Sequence, residues 1–232
     1  MITITLTLLT FLAGALADYL ITRKIGRNPK AVTAVADNTV PTAAGAAAKA
    51  ELPPIYVEGF LVPGGLRYHA GHTWADPERS RTVRAGVDEF AARLAGRIDS
   101  IELPQPGQWV RQGQAMCTIH RNGKTATLLS PVEGEVVEVN PNVVKDPSLL
   151  RSDPYGKGWL ITLKCDEFSA WRNLLPVNLV GDWMKDTVSR LYAKQPSTMG
   201  AAAADHNRPM DDLLAAVPGA EWSRITEEFF LP

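Results

Sequence analysis

The sequence predicts a mainly β domain with a membrane-spanning helix before it and a helical extension after it. A long apolar run opens the chain, short β-rich runs broken by Gly and Pro fill the middle, and apolar residues recur at helical spacing near the end. Many short strands at such spacing are typical of a small barrel or sandwich. The predicted parts are a transmembrane helix over 1–22, a tether over 23–54, a β domain over 55–166 and a C-terminal extension over 167–232.

The first 22 residues predict a single transmembrane helix. The run MITITLTLLTFLAGALADYLI has no charged side chain before Asp18. About 20 helical residues span roughly 30 Å, which is the thickness of the hydrocarbon core of a bilayer. Four positive residues follow the run: Arg23, Lys24, Arg27 and Lys30. By the positive-inside rule, the β domain is then on the cytoplasmic side of a bacterial-type inner membrane.

A cleaved signal peptide is the alternative for this segment, because Ala15-Leu16-Ala17 resembles a small-residue cleavage site. However, a signal peptide carries positive charge before its apolar run, and here the positive side chains come after it. The stretch over 28–54 is built from Ala, Thr, Val and Pro and has no sustained apolar face. This composition favours a tether over an Ala-rich helix packed on a partner.

Composition and spacing exclude several classes of function. The formal net charge is −1, so the chain lacks the basic footprint of a nucleic-acid-binding protein. Cys117 and Cys165 are far apart and lack zinc-site spacing, which favours two reduced thiols over a disulfide. His69 and His72 form an HxxH pair without a third ligand nearby. No phosphate-binding loop or activated nucleophile appears, and we expect neither an enzyme active site nor a small-molecule substrate.

The middle of the chain predicts strands, one short helix and a hairpin. Asp88 can cap a helix with apolar residues at helical spacing, and the alternating RIDSIELP after it predicts a strand. The run from Ile119 to Asn140, IHRNGKTATLLSPVEGEVVEVN, predicts a hairpin followed by another strand. Its turn is Asn122-Gly123, a dipeptide that favours two-residue hairpin loops, and Lys124 follows it directly.

Four motifs of this region resemble the H protein of the glycine cleavage system, which belongs to the wider lipoyl/biotinyl carrier fold. YHAGHTW (68–74) is similar to the family's opening Tyr…His-x-Trp, and AGVDEFAARLAGRIDSIELPQPG (85–107) is similar to its stretch that begins Gly-[Ile/Leu]-[Ser/Thr]. SPVEGEVVEVN (130–140) and DPSLLRSDPYGKGWLITLK (146–164) resemble its later signatures. The most specific part is DPYG followed by GWL.

The resemblance implies a flattened barrel-sandwich hybrid of the lipoyl type, in which a hairpin presents one lysine. That lysine carries lipoate, whose dithiolane arm moves an aminomethyl group and electrons between partner enzymes. The family's hairpin reads close to Glu-Ser-Val-Lys-Ala-x-Ser-Asp. Counting back from Ser130-Pro131-Val132 without a gap places Gly123 at the modified position and Lys124 one residue later. His120 and Thr127 then stand where the family has acidic residues.

Lys124 therefore has two interpretations. In the first it carries lipoate, because an Asn-Gly turn can re-aim the residue that follows it. In the second it is an ordinary surface lysine beside an efficient turn, because neighbouring strand residues point to opposite faces and the surrounding motif is lost. The altered motif favours the second interpretation, in which no lipoate is attached.

The C-terminal extension shows two apolar stripes at helical spacing, one over 171–175 and a longer one from Leu179 to Tyr192. Asp211-Asp212 then predict the start of a short helix, and the chain ends EWSRITEEFFLP. The stripes either pack back on the β domain or anchor the chain to another subunit. Because aromatic residues are enriched in interface cores, we expect a partner interface at Trp183, Trp222, Phe229 and Phe230.

Two functions are consistent with these features. The first, which the altered hairpin favours, is a non-catalytic, membrane-anchored accessory or assembly subunit of a larger membrane complex of a redox or respiratory kind. The second is a membrane-tethered lipoyl carrier that uses Lys124 to pass aminomethyl or acyl groups, or reducing equivalents, between enzymes. Both imply two partners, a membrane-embedded protein complex and the lipid bilayer at residues 1–22.

Overall fold

The computed structural model describes residues 54–78, 81–165, 171–194, 210–215 and 221–231. The predicted transmembrane helix over 1–22 lies outside these ranges, as does the predicted tether over 23–54 except for its last residue. Within these ranges, no helix is both long enough and apolar enough to cross a bilayer. The described ranges cover most of the predicted β domain and parts of the C-terminal extension.

Short strands dominate the described ranges. The strands are β1 (Ile55–Val57), β2 (Phe60–Val62), β3 (Arg67–His69), β4 (Thr73–Pro77), β5 (Thr82–Val87), β6 (Ser100–Glu102), β7 (Trp109–Val110), β8 (Ala115–Arg121), β9 (Lys124–Leu129), β10 (Gly134–Val139) and β11 (Ile161–Lys164). The helices are α1 (Glu89–Ala95), α2 (Pro141–Lys145), α3 (Leu149–Ser152), α4 (Val180–Tyr192) and α5 (Trp222–Phe230), with one 3₁₀ turn at Val177–Leu179. The mainly β class is therefore confirmed.

Six strands form one antiparallel sheet in the order β3-β4-β5-β11-β10-β7. Trp74 of β4 pairs with Gly86 of β5, and a Cβ at Gly86 would lie 2.5 Å from the Trp74 ring. The indole N–H of Trp74 donates to the Val87 carbonyl over 2.8 Å. The glycine therefore leaves the space in which the large Trp74 side chain is buried in the core.

Three further strands form a second antiparallel sheet in the order β6-β8-β9, so β9 lies at its edge. Ile119 of β8 and Ala126 and Leu128 of β9 are buried, in the alternating pattern of a sheet with one covered face. These side chains belong to the same hydrophobic cluster as the buried residues of the six-stranded sheet. The core therefore positions the hairpin formed by β8 and β9.

Helix α1 begins at the cap that the sequence predicts. The Oδ1 atom of Asp88 accepts a hydrogen bond of 2.8 Å from the Ala91 N–H. Its Oδ2 atom lies 2.7 Å from Nδ1 of His72, and both side chains are buried. The His72 ring lies between the rings of Phe90 and Trp183, with centroid distances of 4.5 Å to each. Asp88 therefore joins the start of α1 to the turn between β3 and β4.

The longer of the two predicted stripes is confirmed as helix α4. Its inward residues are buried: Val180, Met184, Val188 and Leu191. The shorter stripe is not helical, because residues 171–173 form a turn. The backbone N–H of Leu175 donates to the Tyr68 carbonyl over 2.8 Å, which holds this stretch against β3. Pro176 follows directly and cannot continue a helix, so helical spacing in this short run was misleading.

The helix predicted to start at Asp211-Asp212 is also absent from the described residues, which show a turn over 213–215. The Asp212 carboxylate accepts a hydrogen bond of 3.1 Å from the Ala215 N–H. The same carboxylate forms an ion pair with Arg121, far away in the sequence. The two acidic residues therefore bind partners in the β domain rather than start the predicted helix.

Candidate functional site

The hairpin tip, residues 120–125, is the candidate functional site. Arg121 pairs with Lys124 across the ladder, which leaves Asn122 and Gly123 as a two-residue loop. Both loop residues have positive φ, 49° at Asn122 and 71° at Gly123. Such a pair of left-handed residues matches the right-handed twist of the flanking strands and is why Asn-Gly is favoured here. The predicted turn is confirmed.

Gly123 occupies the turn position that the resemblance assigns to the modified lysine. A Cβ built on Gly123 meets no atom within 4 Å, so the surroundings leave room for a side chain. Its φ of 71° nevertheless disfavours residues with a side chain. The loop is therefore open to solvent but has a backbone conformation suited to glycine.

Lys124 is exposed and is the first residue of β9. It shares one face of the strand with Ala126 and Leu128, which are buried, but it lies beyond the end of the core. Its cross-strand neighbour Arg121 is also positively charged. Lys124 is therefore an accessible amine, positioned in the strand ladder and not in the turn.

Acidic groups reach the tip from the segment before β8. The backbone N–H of Asn122 donates to Oδ2 of Asp99 over 2.6 Å. Glu102 of β6 places its Oε1 atom 3.0 Å from Nε2 of His120. Sequence comparison with the family's hairpin did not reveal these carboxylates, because they come from another strand. The tip therefore has negative charge nearby, although the resemblance aligns His120 and Thr127 with acidic residues of the family's hairpin.

The C-terminal extension also reaches the tip, which the sequence did not predict. Arg121 forms an ion pair with Asp212, and the side-chain N–H of Trp222 donates to the Thr125 carbonyl over 2.7 Å. These partners are 91 and 97 residues apart, so no local pattern indicates them. The hairpin is therefore bound on one side by a segment distant in the chain.

The structure corrects the expected partner interface at three of the four aromatic residues and leaves it a prediction at Trp183. Trp222, Phe229 and Phe230 are buried in their own chain, with at most 3% of each residue exposed. Trp183 is half-buried and stacks on His72 at an interplanar angle of 28°. Their helices pack back on the β domain, because the apolar stripes complete its core, so these side chains already have their contacts within this chain.

His69 and His72 do not form a metal-binding pair. Nδ1 of His69 accepts a hydrogen bond from the Gly71 N–H, and Nδ1 of His72 is bonded to Asp88. Burial and the neighbouring His72 lower the pKa of His69. Across the described residues, no group of three or more His, Cys, Asp or Glu side chains could hold a metal ion. The two cysteines, Cys117 and Cys165, are both buried.

Comparison with known proteins places these features in a family. Residues 66–187, more than half of the chain, match the model of the family described as "Glycine cleavage H-protein". The glycine cleavage system H protein of Alteromonas mediterranea is 38% identical over 114 residues, which cover 49% of this chain and 88% of that protein. The probable H protein of Aeropyrum pernix is 34% identical over 116 residues and 80% of its length.

A crystal structure of the H protein from Mycobacterium marinum is 28% identical, with a TM-score of 0.47, and the match covers 55% of this chain and 99% of that one. The family match includes all four motifs, from the YHAGHTW run to the DPYGKGWL signature. The same match includes the hairpin with Gly123 at its turn. On the strength of the family match and these relatives, the chain belongs to the glycine cleavage H-protein family.

Proposed function

We propose that this chain is a non-catalytic, membrane-anchored accessory or assembly subunit of a larger membrane complex of a redox or respiratory kind, and that it has lost the lipoyl arm of its family. Residues 1–22 supply the anchor, residues 23–54 the tether, and the H protein-like domain the surface that binds the complex. The positive-inside rule places that domain on the cytoplasmic side of the membrane. The domain acts by binding partners and performs no chemistry itself.

The observation that carries the loss of the arm is Gly123 in the two-residue turn. Lipoate is attached through an amide to a lysine Nζ, and glycine has no amine to offer. Lys124, one residue later, is paired in the ladder opposite another cation, Arg121. The flanking acidic residues of the hairpin are replaced by His120 and Thr127. The residues at this tip therefore do not fit the attachment motif of the family.

A second candidate function is a lipoyl carrier that uses Lys124. Its support is that Lys124 is exposed and directly follows a turn of two left-handed residues, so its amine is accessible to an enzyme. In that case the attached dithiolane would carry aminomethyl or acyl groups, or reducing equivalents, between partner enzymes. The two functions make different predictions about the mass of the protein.

Intact-mass spectrometry of the purified protein tests the proposal. The full chain should be produced in cells that lipoylate a conventional H protein expressed alongside it, which serves as the positive control. We expect the wild type and Lys124→Arg variant to have the masses of their unmodified sequences. A lipoyl-sized increment on the wild type that is absent from Lys124→Arg would instead establish the carrier.

Membrane attachment and the partner complex need a separate test. We expect the full chain to sediment with membranes, to resist extraction by high salt and alkaline carbonate, and to be released by detergent. Deletion of residues 2–22 should move it to the supernatant. Purification in mild detergent should recover it with other membrane proteins. Recovery of the full chain alone and monodisperse would contradict the role as a subunit.

A further inference from the structure

Two segments that follow the family match in the sequence lie against the hairpin formed by β8 and β9. The match ends at residue 187, whereas residues 210–215 and 221–231 contact the hairpin and helix α1 beside it. We name these two segments the C-terminal clasp. Three sets of contacts hold the clasp in place.

The first set is centred on Arg121, the last residue of β8. Both Nη atoms of Arg121 bind the Asp212 carboxylate, and its Nη1 also donates to the Ala95 carbonyl over 2.7 Å. Gly96 makes room for this pair, because a Cβ there would lie 2.5 Å from Arg121 Nη1 and 2.7 Å from Asp212 Cγ. Arg121 and Asp212 are 15% and 29% exposed, so the ion pair is largely shielded from water and resists screening.

The second set joins the clasp to helix α1. Nη1 of Arg93 lies 2.6 Å from Oδ1 of Asp211. The backbone N–H of Leu213 donates to the Arg93 carbonyl over 3.1 Å, and the Leu213 side chain is buried. The segment over 210–215 is therefore fixed to the domain by the Leu213 backbone, the Asp211 charge and the Leu213 side chain.

The third set covers the edge of the second sheet. The side-chain N–H of Trp222 donates to the Thr125 carbonyl of the edge strand β9. The Arg121 guanidinium lies 5.6 Å from the centre of the Trp222 ring, which links this contact to the first set. Ile225 and Phe229, further along α5, are also buried. Helix α5 therefore lies along the strand that begins with Lys124.

We propose that the C-terminal clasp closes this side of the hairpin to enzymes that would enclose its tip. The premise of this proposal is that an enzyme which modifies the tip needs space beside both strands of the hairpin. The clasp fills that space next to β9, one residue from Lys124 and two from Gly123. This inference rests on the proposed loss of the arm. The clasp adds a second barrier to modification, which is independent of the residue at the turn.

The test restores a lysine at the turn and opens the clasp separately. All variants carry Lys124→Arg, so that position 123 is the only place at the tip where a lysine can be modified. All are full chains in mild detergent. Gly123→Lys is compared with Gly123→Lys/Asp212→Ala/Trp222→Ala, each incubated with lipoate, ATP and a lipoate–protein ligase. The ligase first joins the lipoate carboxylate to the α-phosphate of ATP and releases pyrophosphate. It then transfers the lipoyl group from this adenylate to the lysine Nζ, which forms the amide and releases AMP and a proton. We expect modification, measured by intact mass over time, to be at least tenfold faster when the clasp is open.

Two further variants keep the result interpretable. Arg224→Ala changes an exposed residue of α5 and should leave the rate of Gly123→Lys unchanged. Trp222→Phe keeps an aromatic ring but removes the indole N–H that binds Thr125, and should give an intermediate rate without unfolding the domain. Hydrogen exchange of the β9 amides should rise in the same order. Equal rates with the clasp closed and open, whether both fast or both undetectable, would overturn the proposal. Lipoate found on Lys124 of the wild type in cells would overturn both the proposed function and this inference, whereas equal rates in the ligase assay would overturn this inference alone.

Discussion

The signature loop, residues 153–159, and the hairpin tip, residues 120–125, differ in how tightly the fold constrains them. In the loop, the Asp153 carboxylate accepts hydrogen bonds from the N–H groups of Gly156 and Lys157. At the tip, a side chain on Gly123 would meet no atom within 4 Å. Packing therefore constrains the residues of the loop, whereas the tip can change its residues without disturbing the core. A shared fold therefore says little about whether the carrier chemistry survives.

The tightest point of the loop gives the largest expected effect. A Cβ on Gly158 would lie 2.6 Å from the Leu149 carbonyl oxygen and 2.7 Å from that of Asp153. Both are backbone atoms that cannot move without distorting α3. We expect Gly158→Ala to lower the free energy of unfolding by about 3 kcal/mol, as measured by denaturant titration. A loss below about 1 kcal/mol would show that the loop is more adaptable than its contacts indicate.

Tyr155 connects the loop to two other elements. Its hydroxyl donates to the Leu61 carbonyl over 2.7 Å and accepts from the Glu89 N–H over 3.0 Å. Tyr155→Phe leaves both backbone groups without this partner, and we expect a loss of about 2 kcal/mol in the free energy of unfolding. Tyr56→Phe is the matched control, because Tyr56 is 72% exposed and its substitution should have no measurable effect.

Alkaline pH should act on the same part of the molecule. Burial, followed by the nearby Tyr68 and Asp88, raises the pKa of Tyr155 well above its usual value, and burial also raises that of Tyr68. A raised pKa means that the folded state keeps the proton while the unfolded chain loses it near pH 10, so stability is full below pH 10 and falls above it. Between pH 10 and 11 we expect a loss of about 1 kcal/mol for each of these tyrosines. Tyr155→Phe should reduce the slope, and an unchanged slope would contradict this assignment.

Substitutions at the tip should have the smallest effects. Gly123→Ala meets no steric obstacle, so only its φ of 71° opposes it, and we expect a loss of about 1 kcal/mol. Lys124→Ala removes an exposed side chain and should change the free energy of unfolding by less than about 0.5 kcal/mol. If either variant were as destabilising as Gly158→Ala, the contrast between the two regions would be lost.

Local features of this fold were predictable from the sequence because each depends on neighbouring residues. The Asp88 cap, the Asn122-Gly123 turn and the stripe of α4 all follow from short-range chemistry. An apolar stripe shows only that one face of a helix is covered, and does not identify what covers it. For this reason the sequence predicted that Trp222 and Phe229 would be in contact with protein, but placed that protein in another subunit.

The contacts around the tip were not predictable, because they join residues distant in the sequence. Arg121 and Asp212 form their ion pair across 91 positions, and no local spacing marks either residue. Asp99 and Glu102 likewise approach the tip from a separate segment. The resemblance did place Gly123 at the position of the family's modified lysine, because that alignment relies only on counting along one continuous stretch of sequence.

Helix α5 has a further consequence, for the behaviour of the protein in a crowded cell. Strand β9 lies at the edge of its sheet. An uncovered edge strand offers free N–H and carbonyl groups with which a strand of another chain can pair. Trp222 occupies one of these carbonyls at Thr125. Chains in which α5 is undocked or cut away would therefore pair edge to edge and aggregate, so the last helix also protects the folded domain from self-association.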